Sequence, residues 1–484
     1  MSKPTSPTTA AALSLLFPGL GQLAAGARRR SVLVAAPAVL LSAVAAGALL
    51  GNPIDVATAL IRPEVLGAIV AVVLAFGAYH LVAIADAYRV SRLRSAAPLP
   101  HPRRSAAGLS GLLVLALGIH GSIGWAGVAV NEAAGAIFVG GGLIPTLGAT
   151  PPPTASPSSG PLAALGPSAT PEPERTPGPF ATPVPVWAQD GRLNLLLIGA
   201  DSGPGRSGLR TDTMILLSVD IKTGRAAMFG IPRNLRNVPL PPESAGAYPN
   251  GKFPEPLNAL YVRAGQRPDL FPGGEARGFR AVSGAIQELA GVPLDGMAGV
   301  SLVGFVRLVD AVDGLWIDVP DVVYEDYYPL ENGFRHIVLY IKRGCQHMDG
   351  SRALAYARSR HGSSDYGRME RQQLVLLALR RQLDPLAILL RFSDLIDIAK
   401  ESFWTTVSRE DVTDLARLAQ RVDASNVETS VFMPPGYPEF LSDVAIEQIR
   451  AEVRGVFDAP DPAASPSPGA SPTTTPNGEP CPAP

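Results

Sequence analysis

Three uncharged runs in the first 130 residues constrain this chain more than any other feature. Residues 31–50, SVLVAAPAVLLSAVAAGALL, carry no charged side chain, and about 20 residues at 1.5 Å each span the hydrocarbon of a bilayer as a helix. Similar runs cover Val65 to Ile84 and Ala107 to Val130. Only a helix satisfies its own backbone in lipid, so three transmembrane helices are expected. A shorter apolar piece from Ala11, AALSLLFPGLGQLAAGA, is broken by Pro18 and three glycines. It is expected to lie in the interface or to re-enter, and its weakly charged start is unlike a signal peptide.

The arginines beside these runs set an orientation. Arg28, Arg29 and Arg30 precede the first, and Arg89, Arg92, Arg94, Arg103 and Arg104 fill the connection between the second and third, whereas residues 51–64 offer Arg62 against Asp55 and Glu64. Basic flanks stay on the cytoplasmic side. The expectation is a multi-pass protein of the cell membrane with everything after Val130 outside.

Composition divides the rest. From Ala149 to Val186 roughly a third of the residues are proline, mixed with Ser, Thr and Ala, a composition that buries too little to offset backbone ordering. The expected organisation is a membrane region over 1–148, a Pro/Ser/Thr-rich linker over 149–186, a globular domain over 187–458 and a disordered tail of similar composition over 459–484. The formal net charge of −1 argues against a nucleic-acid binder. Two cysteines, Cys345 and Cys481, are too few for a disulfide scaffold or a zinc site and leave one bridge open as a possibility.

Within 187–458, RLNLLLIGAD reads as a strand buried on both faces, and TDTMILLSVDI and RAAMFGIPRN read as a hairpin around DIKTG. EARGFRAVSGAIQELAG has helical spacing and a terminal glycine. GLWIDVP reads as a strand, and MERQQLVLLALRRQLDPLAILLRF as a long helix kinked at Pro385. SRED at Ser408–Asp411 matches a capping box before DVTDLARLAQRV. Strands mixed with helices imply an α/β fold, an α/β/α sandwich with a mixed central sheet.

Gly203–Gly208 matches G-x-G-x-x-G literally, but a strand follows it, not the helix that would hold a pyrophosphate. No Walker A lysine, G-x-S-x-G elbow or H-E-x-x-H is present. What remains are carboxylates and arginines at strand ends and one helix start. Asp201 and Asp212 stand at the ends of two strands joined by one loop, a pair that suits Mg²⁺ with phosphate oxygens and water. The plainer alternative is that they cap turns or pair with Arg206 and Arg210.

YARSRHGSSDYGRMERQQ places Arg358, Arg360, Arg368 and Arg371 around Asp365. Arg368 and Arg371 share a helix face near an N-terminus whose dipole disfavours cations, which an anion between them would relieve. Asp365 fits the N-cap of that helix. Arg358 and Arg360 read as alternate residues of an extended piece, pointing the same way. Arg233 ends the strand MFGIPR. Guanidinium forks of this kind grip phosphate bidentately, and a surface salt-bridge network is the alternative.

NLLLIGADS, RTDTMILLSVD, GIPRN, LNALY, LVDAVDGLWIDVP, MDGSRALAYARSR and DYGRMERQQ resemble, in order and spacing, the LytR-CpsA-Psr family. The resemblance runs from Leu193 to Arg381. It implies a membrane-anchored, Mg²⁺-dependent phosphotransferase that moves a glycopolymer from a polyprenyl pyrophosphate carrier to a peptidoglycan hydroxyl in cell-wall assembly. It also implies an apolar channel for the prenyl chain, near Phe305, Leu308, Val309 and Val312, residues that core packing explains equally. By the same resemblance Asp201 and Asp212 hold the metal. Arg210, Arg233, Arg358, Arg360, Arg368 and Arg371 contact the phosphates with Gln372 and Asn258, and Asp365 joins Arg233, Arg358 and Arg360 as a catalytic group.

The chain departs from the family pattern at Asn234, where Asp is usual after IPR, at Gly203 in place of Arg, and at Pro256 in place of Lys. These changes lower the expected grip on phosphate, and three spans replace the usual single anchor. Two other functions share the same residues: a hydrolase of the lipid pyrophosphate, and a non-catalytic receptor for anionic glycans or lipid head groups.

Overall fold

The computed structural model describes residues 5–51, 53–95, 101–138, 190–201, 210–329, 336–359, 365–382, 400, 402–423, 426–458 and 481. They fall into two compact units, one drawn from residues 1–139, 383–404 and 408–417, the other from 140–382, 405–407 and 418–484. The linker over 149–186, the tail over 459–480 and the expected kink at Pro385 lie outside the described residues.

In the first unit α1 (Pro7–Leu16) packs against α3 (Pro63–Arg94) and α4 (Pro102–Ile137), while α2 (Arg28–Leu49) follows a short turn of helix at Leu20–Ala24. Helices α2, α3 and α4 are each long and apolar enough to cross a membrane. They exceed the uncharged runs, because the flanking arginines continue the helices: Arg28–Arg30 form the first turn of α2 and Arg92 and Arg94 the last turn of α3. The piece from Ala11 breaks where Pro18 demands it, with Gly19 at φ 101° between α1 and the short helix. Ser14 Oγ donates to Gln22 Oε1 at 3.0 Å, and Gln22 Nε2 donates to Asp86 Oδ2 at 3.1 Å, tying the break to α3.

The second unit is built on a six-stranded mixed sheet. Its strands are β1 (Arg192–Asp201), β2 (Arg210–Asp220), β3 (Ala226–Gly230), β4 (Gly296–Ser301), β9 (Phe403–Thr405, of which Thr405 falls in this unit) and β10 (Val427–Val431), in the order β9–β4–β1–β2–β3–β10. The chain meanders antiparallel through β1, β2 and β3, and β4 and β10 add in parallel beside β1 and β3. Leu193, Leu196, Ile198, Met214, Ile215, Leu216 and Phe229 are buried, which is why these strands read as apolar runs. Gln287 Oε1 accepts from the Leu294 N–H behind α5 (Arg277–Ala290), and Gly291 closes that helix in a left-handed conformation at φ 67°.

A second core forms beside the sheet. Two small antiparallel pairs, β5 (Leu315–Val319) with β8 (Gly344–Met348) and β6 (Val323–Pro329) with β7 (His336–Ile341), pack with α6 (Leu302–Ala311), α7 (Gly350–Arg358) and α8 (Asp365–Gln382). GLWIDVP is therefore a strand as expected, but it belongs to the small β5–β8 pair. Val309 is fully buried in this core, and Phe305 and Val312 pack against it. α9 (Asp443–Gly455) closes the domain with Ser442 as its N-cap. Flanking helices on a mixed central sheet give the α/β architecture expected.

Two local expectations are corrected, and one open point is answered. Arg358 ends helix α7; it is not in an extended piece, because Asp349 caps that helix by accepting from the Arg352 N–H at 2.7 Å and Ala353, Leu354 and Ala357 are buried at helical spacing. Ser408 does not cap a helix: it accepts from the Glu410 N–H at 3.1 Å, within a turn, and the helix begins at Val412. The bridge left open by the cysteine count is formed, Cys345 in β8 joining Cys481 with Cα atoms 5.5 Å apart.

Candidate active site

The site is built from an irregularity in the β1–β2 ladder. Gly199 pairs with Thr213 and Ala200 pairs with Thr211, so Asp212 is an extra residue on β2. A bulge re-aims the side chains around it. Here Thr211 is buried and Asp212 and Thr213 are both half-buried, which strict alternation would forbid. Gly199 permits the close pairing, since a Cβ there would stand 2.9 Å from the Cβ of Thr213.

Arg233 comes to Asp212 from the end of β3. The Ile231 N–H donates to the Met214 carbonyl at 3.0 Å, carrying the strand past Gly230, and Pro232 then turns the chain. Arg233 Nη1 donates to Asp212 Oδ1 at 2.7 Å. Asn258 Nδ2 donates to the same oxygen at 3.2 Å, and the Asn258 N–H donates to the Arg233 carbonyl at 2.9 Å. Pro256, one of the departures from the family pattern, opens the 3-10 turn that carries Asn258.

Helix α8 supplies the third side. A Cβ on Gly230 would meet Met369 Cε at 2.9 Å, so the glycine lets α8 approach β3 closely. Gln373 fastens the helix there by donating to the carbonyls of Met228 and Ser430, each at 3.2 Å. Arg368, only 3% exposed, then reaches the Asp212 carbonyl with Nη2 at 3.3 Å. Asp212 titrates below its ordinary value. Burial opposes this most strongly, but the hydrogen bond and charge of Arg233, the hydrogen bond of Asn258 and the charge of Arg368 together outweigh it.

Arg371 has a different environment. Its Nε donates to the Tyr356 carbonyl at 2.9 Å, its Nη2 donates to the Ser359 carbonyl, and the guanidinium stands 5.9 Å from the centroid of the Tyr356 ring. This cation thus donates to the carbonyl end of α7, the negative pole of a second helix. Gln372 donates weakly to the Ala357 carbonyl at 3.4 Å, and its Oε1 is buried with no partner among the described residues. Arg358 is half-buried at the end of α7.

The structure therefore brings Asp212, Arg233, Asn258 and Arg368 together and holds Arg371 and Gln372 against the end of α7. Asp201 and Arg210 face each other as backbone partners at the end of the ladder, and Asp365 opens α8; their side chains, and Arg360, lie outside the described residues. Asn234 is half-buried, and its Oδ1 has no hydrogen-bond partner among the described residues. Gln373 and the Ser359 hydroxyl, which donates to Glu325 Oε2 at 2.7 Å, are supports not foreseen from sequence. Only the glycine in FGIPR hinted at the close approach of α8.

Asp212 Oδ1 is occupied by Arg233 and Asn258, and Oδ2 accepts no hydrogen bond among the described residues. Among those residues no group of three or more His, Cys, Asp or Glu could cage an ion. One free carboxylate oxygen fits Mg²⁺, which takes few protein ligands and completes its shell with phosphate and water.

The model of the LytR_cpsA_psr family matches residues 170–438, more than half of the chain. The chain belongs to this family. Among curated relatives, the polyisoprenyl-teichoic acid–peptidoglycan teichoic acid transferase TagV of Bacillus subtilis is 26% identical over 227 residues, 46% of this chain and 52% of that protein. The probable cell wall biosynthesis protein LcpB of Corynebacterium glutamicum is 30% identical over 202 residues, 38% of this chain and 41% of that one. The chain thus spans about half the length of these relatives or less. The crystal structure of B. subtilis TagV aligns with a TM-score of 0.41 at 22% identity, over 56% of this chain and 99% of that one.

Proposed function

We propose that this member of the LytR-CpsA-Psr family is a phosphotransferase that moves a glycopolymer from a polyprenyl pyrophosphate carrier to a peptidoglycan hydroxyl outside the cell membrane. The observation that carries the reading is the convergence of Asp212, Arg233 and Arg368 from a strand bulge, a strand end and a helix start. It is supported by the relative named as a teichoic acid transferase. The Cys345–Cys481 bridge favours an oxidising compartment, as the arginine flanks of α2 and α3 do independently.

In this reading Arg233 and Arg368, with Arg210, Arg358 and Arg360, hold the pyrophosphate and neutralise charge on its bridging oxygen. An acceptor hydroxyl attacks the phosphorus nearer the glycan, its P–O bond to the bridging oxygen breaks, and polyprenyl phosphate leaves with that oxygen. The hydroxyl proton passes to a base, for which Asp365 is the candidate. Asp212 and Asp201 would hold Mg²⁺, which would supply further charge neutralisation when bound. Asp212 also fixes the direction of Arg233, and Arg371 positions the segment that carries Arg358 and Arg360 by holding the end of α7.

The test is to incubate the full-length protein with labelled lipid-linked oligosaccharide and peptidoglycan. Label joined to the wall supports transfer. Soluble label indicates a hydrolase, and retention without turnover that survives Asp212→Ala indicates a receptor. A reporter fused after residue 148 checks the compartment separately.

A further inference from the structure

The first unit holds a second collection of arginines, which the transferase reading does not use. An open cleft of about 510 Å³ lies where α2 begins and α3 ends, lined by Gly26, Ala27, Arg28–Arg30, Val90, Leu93 and Arg94. Four of its side chains are guanidinium groups, and among the described residues no carboxylate lines it.

Its shape comes from the chain between the short helix at Leu20–Ala24 and α2. Gly26, at φ 81°, turns the backbone so that the Ala27 N–H donates to the Gln22 carbonyl at 2.8 Å, and α2 starts at the next residue. Arg94 crosses from α3 to this turn, donating from Nη1 to the Ala25 carbonyl at 3.2 Å. A Cβ on Gly26 would stand 3.2 Å from that nitrogen. Arg30 is paired with Asp86 through Nε at 3.0 Å, but Arg28 and Arg29 make no hydrogen bond or ion pair among the described residues.

Like charges are thereby concentrated where they repel. Three arginines occupy the first turn of α2, against the direction of its dipole, and its N-cap Ala27 has no side chain to satisfy the first N–H groups. Beside them the wall is apolar: Val90 is buried, and Leu93 is 75% exposed. A guanidinium cluster next to exposed hydrocarbon at the end of membrane-length helices matches an amphiphile better than a free ion.

We infer that this cleft binds the phosphate of an anionic glycerophospholipid from the basic-side leaflet, gripped by Arg28, Arg29 and Arg94, with its acyl portion against Leu93. The site would couple the start of α2 to the end of α3 through one lipid. It is independent of the catalytic reading and requires only that α2, α3 and α4 lie in a membrane.

The test uses the full-length protein in a neutral detergent and native mass spectrometry with dioctanoyl phosphatidylglycerol, dioctanoyl phosphatidylcholine and glycerol 3-phosphate. The expected result is one saturable phosphatidylglycerol per chain, bound at least about tenfold more tightly than phosphatidylcholine, a factor in keeping with one charge-assisted contact. R28Q/R29Q/R94Q should abolish this preference, whereas R89Q/R92Q/R103Q, at arginines outside the cleft, should preserve it. If the first triple variant does not fold, R28Q and R94Q singly should each weaken phosphatidylglycerol binding.

Equal binding of the two lipids would overturn the inference. So would equal loss in both triple variants, which would mean diffuse surface charge, or glycerol 3-phosphate binding as tightly as phosphatidylglycerol, which would mean a soluble anion. Loss of wall transfer in the assay above leaves this result unaffected, so the two readings fail separately.

Discussion

Asp212 Oδ1 accepts from Arg233 Nη1 at 2.7 Å, and Asp212 is the extra residue of a β-bulge. The ion pair thus exists because one strand carries one residue too many. Its two members are 24% and 19% exposed, so the pair is screened less than a surface salt bridge.

Replacing Asp212 by Asn keeps the volume and removes the charge that orients Arg233. Transfer should fall by about 100-fold or more, the scale of removing one preorganised electrostatic contact. Arg233→Ala should cost a similar factor. Steady-state assays alongside circular dichroism check this; a folded D212N with wild-type turnover would remove Asp212 from the mechanism.

Arg371 predicts a different phenotype. Arg371→Met leaves the Tyr356 and Ser359 carbonyls without their donor and should lower stability by about 2–4 kcal/mol, the cost of unsatisfied buried groups. Urea unfolding measures it. An unchanged midpoint with lost activity would instead make Arg371 a direct phosphate ligand.

Asp295 gives a pH signature. Burial pushes its carboxyl from 3.8 up to about 7; the hydrogen bond from the Asn194 N–H lowers it and the charge of Asp190 raises it further. The unfolded chain ionises this group near 3.8, while the folded chain keeps its proton. Its contribution to stability is therefore complete below that pH, declines as pH rises to about 7, and is flat beyond. Asp295→Asn retains an acceptor for Asn194 and should raise the melting temperature at pH 8 but not at pH 3.5. Parallel pH profiles for the two proteins would contradict the assignment.

The Cys345–Cys481 bridge joins residues 136 apart. Cys481→Ser should destabilise the protein by about 2–5 kcal/mol, and reducing the unsubstituted protein should bring it to the same unfolding midpoint. Peptide mapping under non-reducing conditions should recover the linked pair. Equal midpoints for oxidised and reduced protein would show that the bridge does not stabilise the domain.

The sequence by itself determined whatever depends on neighbouring residues. Three uncharged runs became membrane-length helices because length and apolarity are summed locally. NLLLIG, MILLSV and AAMFG became adjoining strands because their short connections and burial on both faces leave few other arrangements. Asp212, Arg233 and Arg368 could be named because each stands near the end of an element, where a side chain is free to serve a site, whereas Asn258 came only with the family resemblance.

Tertiary structure decided what depends on distant partners. Alternation along β2 cannot reveal that Asp212 is a bulge, since register is a property of two strands. Period two made Arg358 look extended, whereas the Asp349 cap and the burial of Ala353, Leu354 and Ala357 selected a helix. Arg371 read as a cation facing an anion, and only the folded chain shows that its guanidinium also donates to carbonyls at the end of α7. A residue's type reports what it can bond to; which bond forms is set by the chain that folding brings alongside.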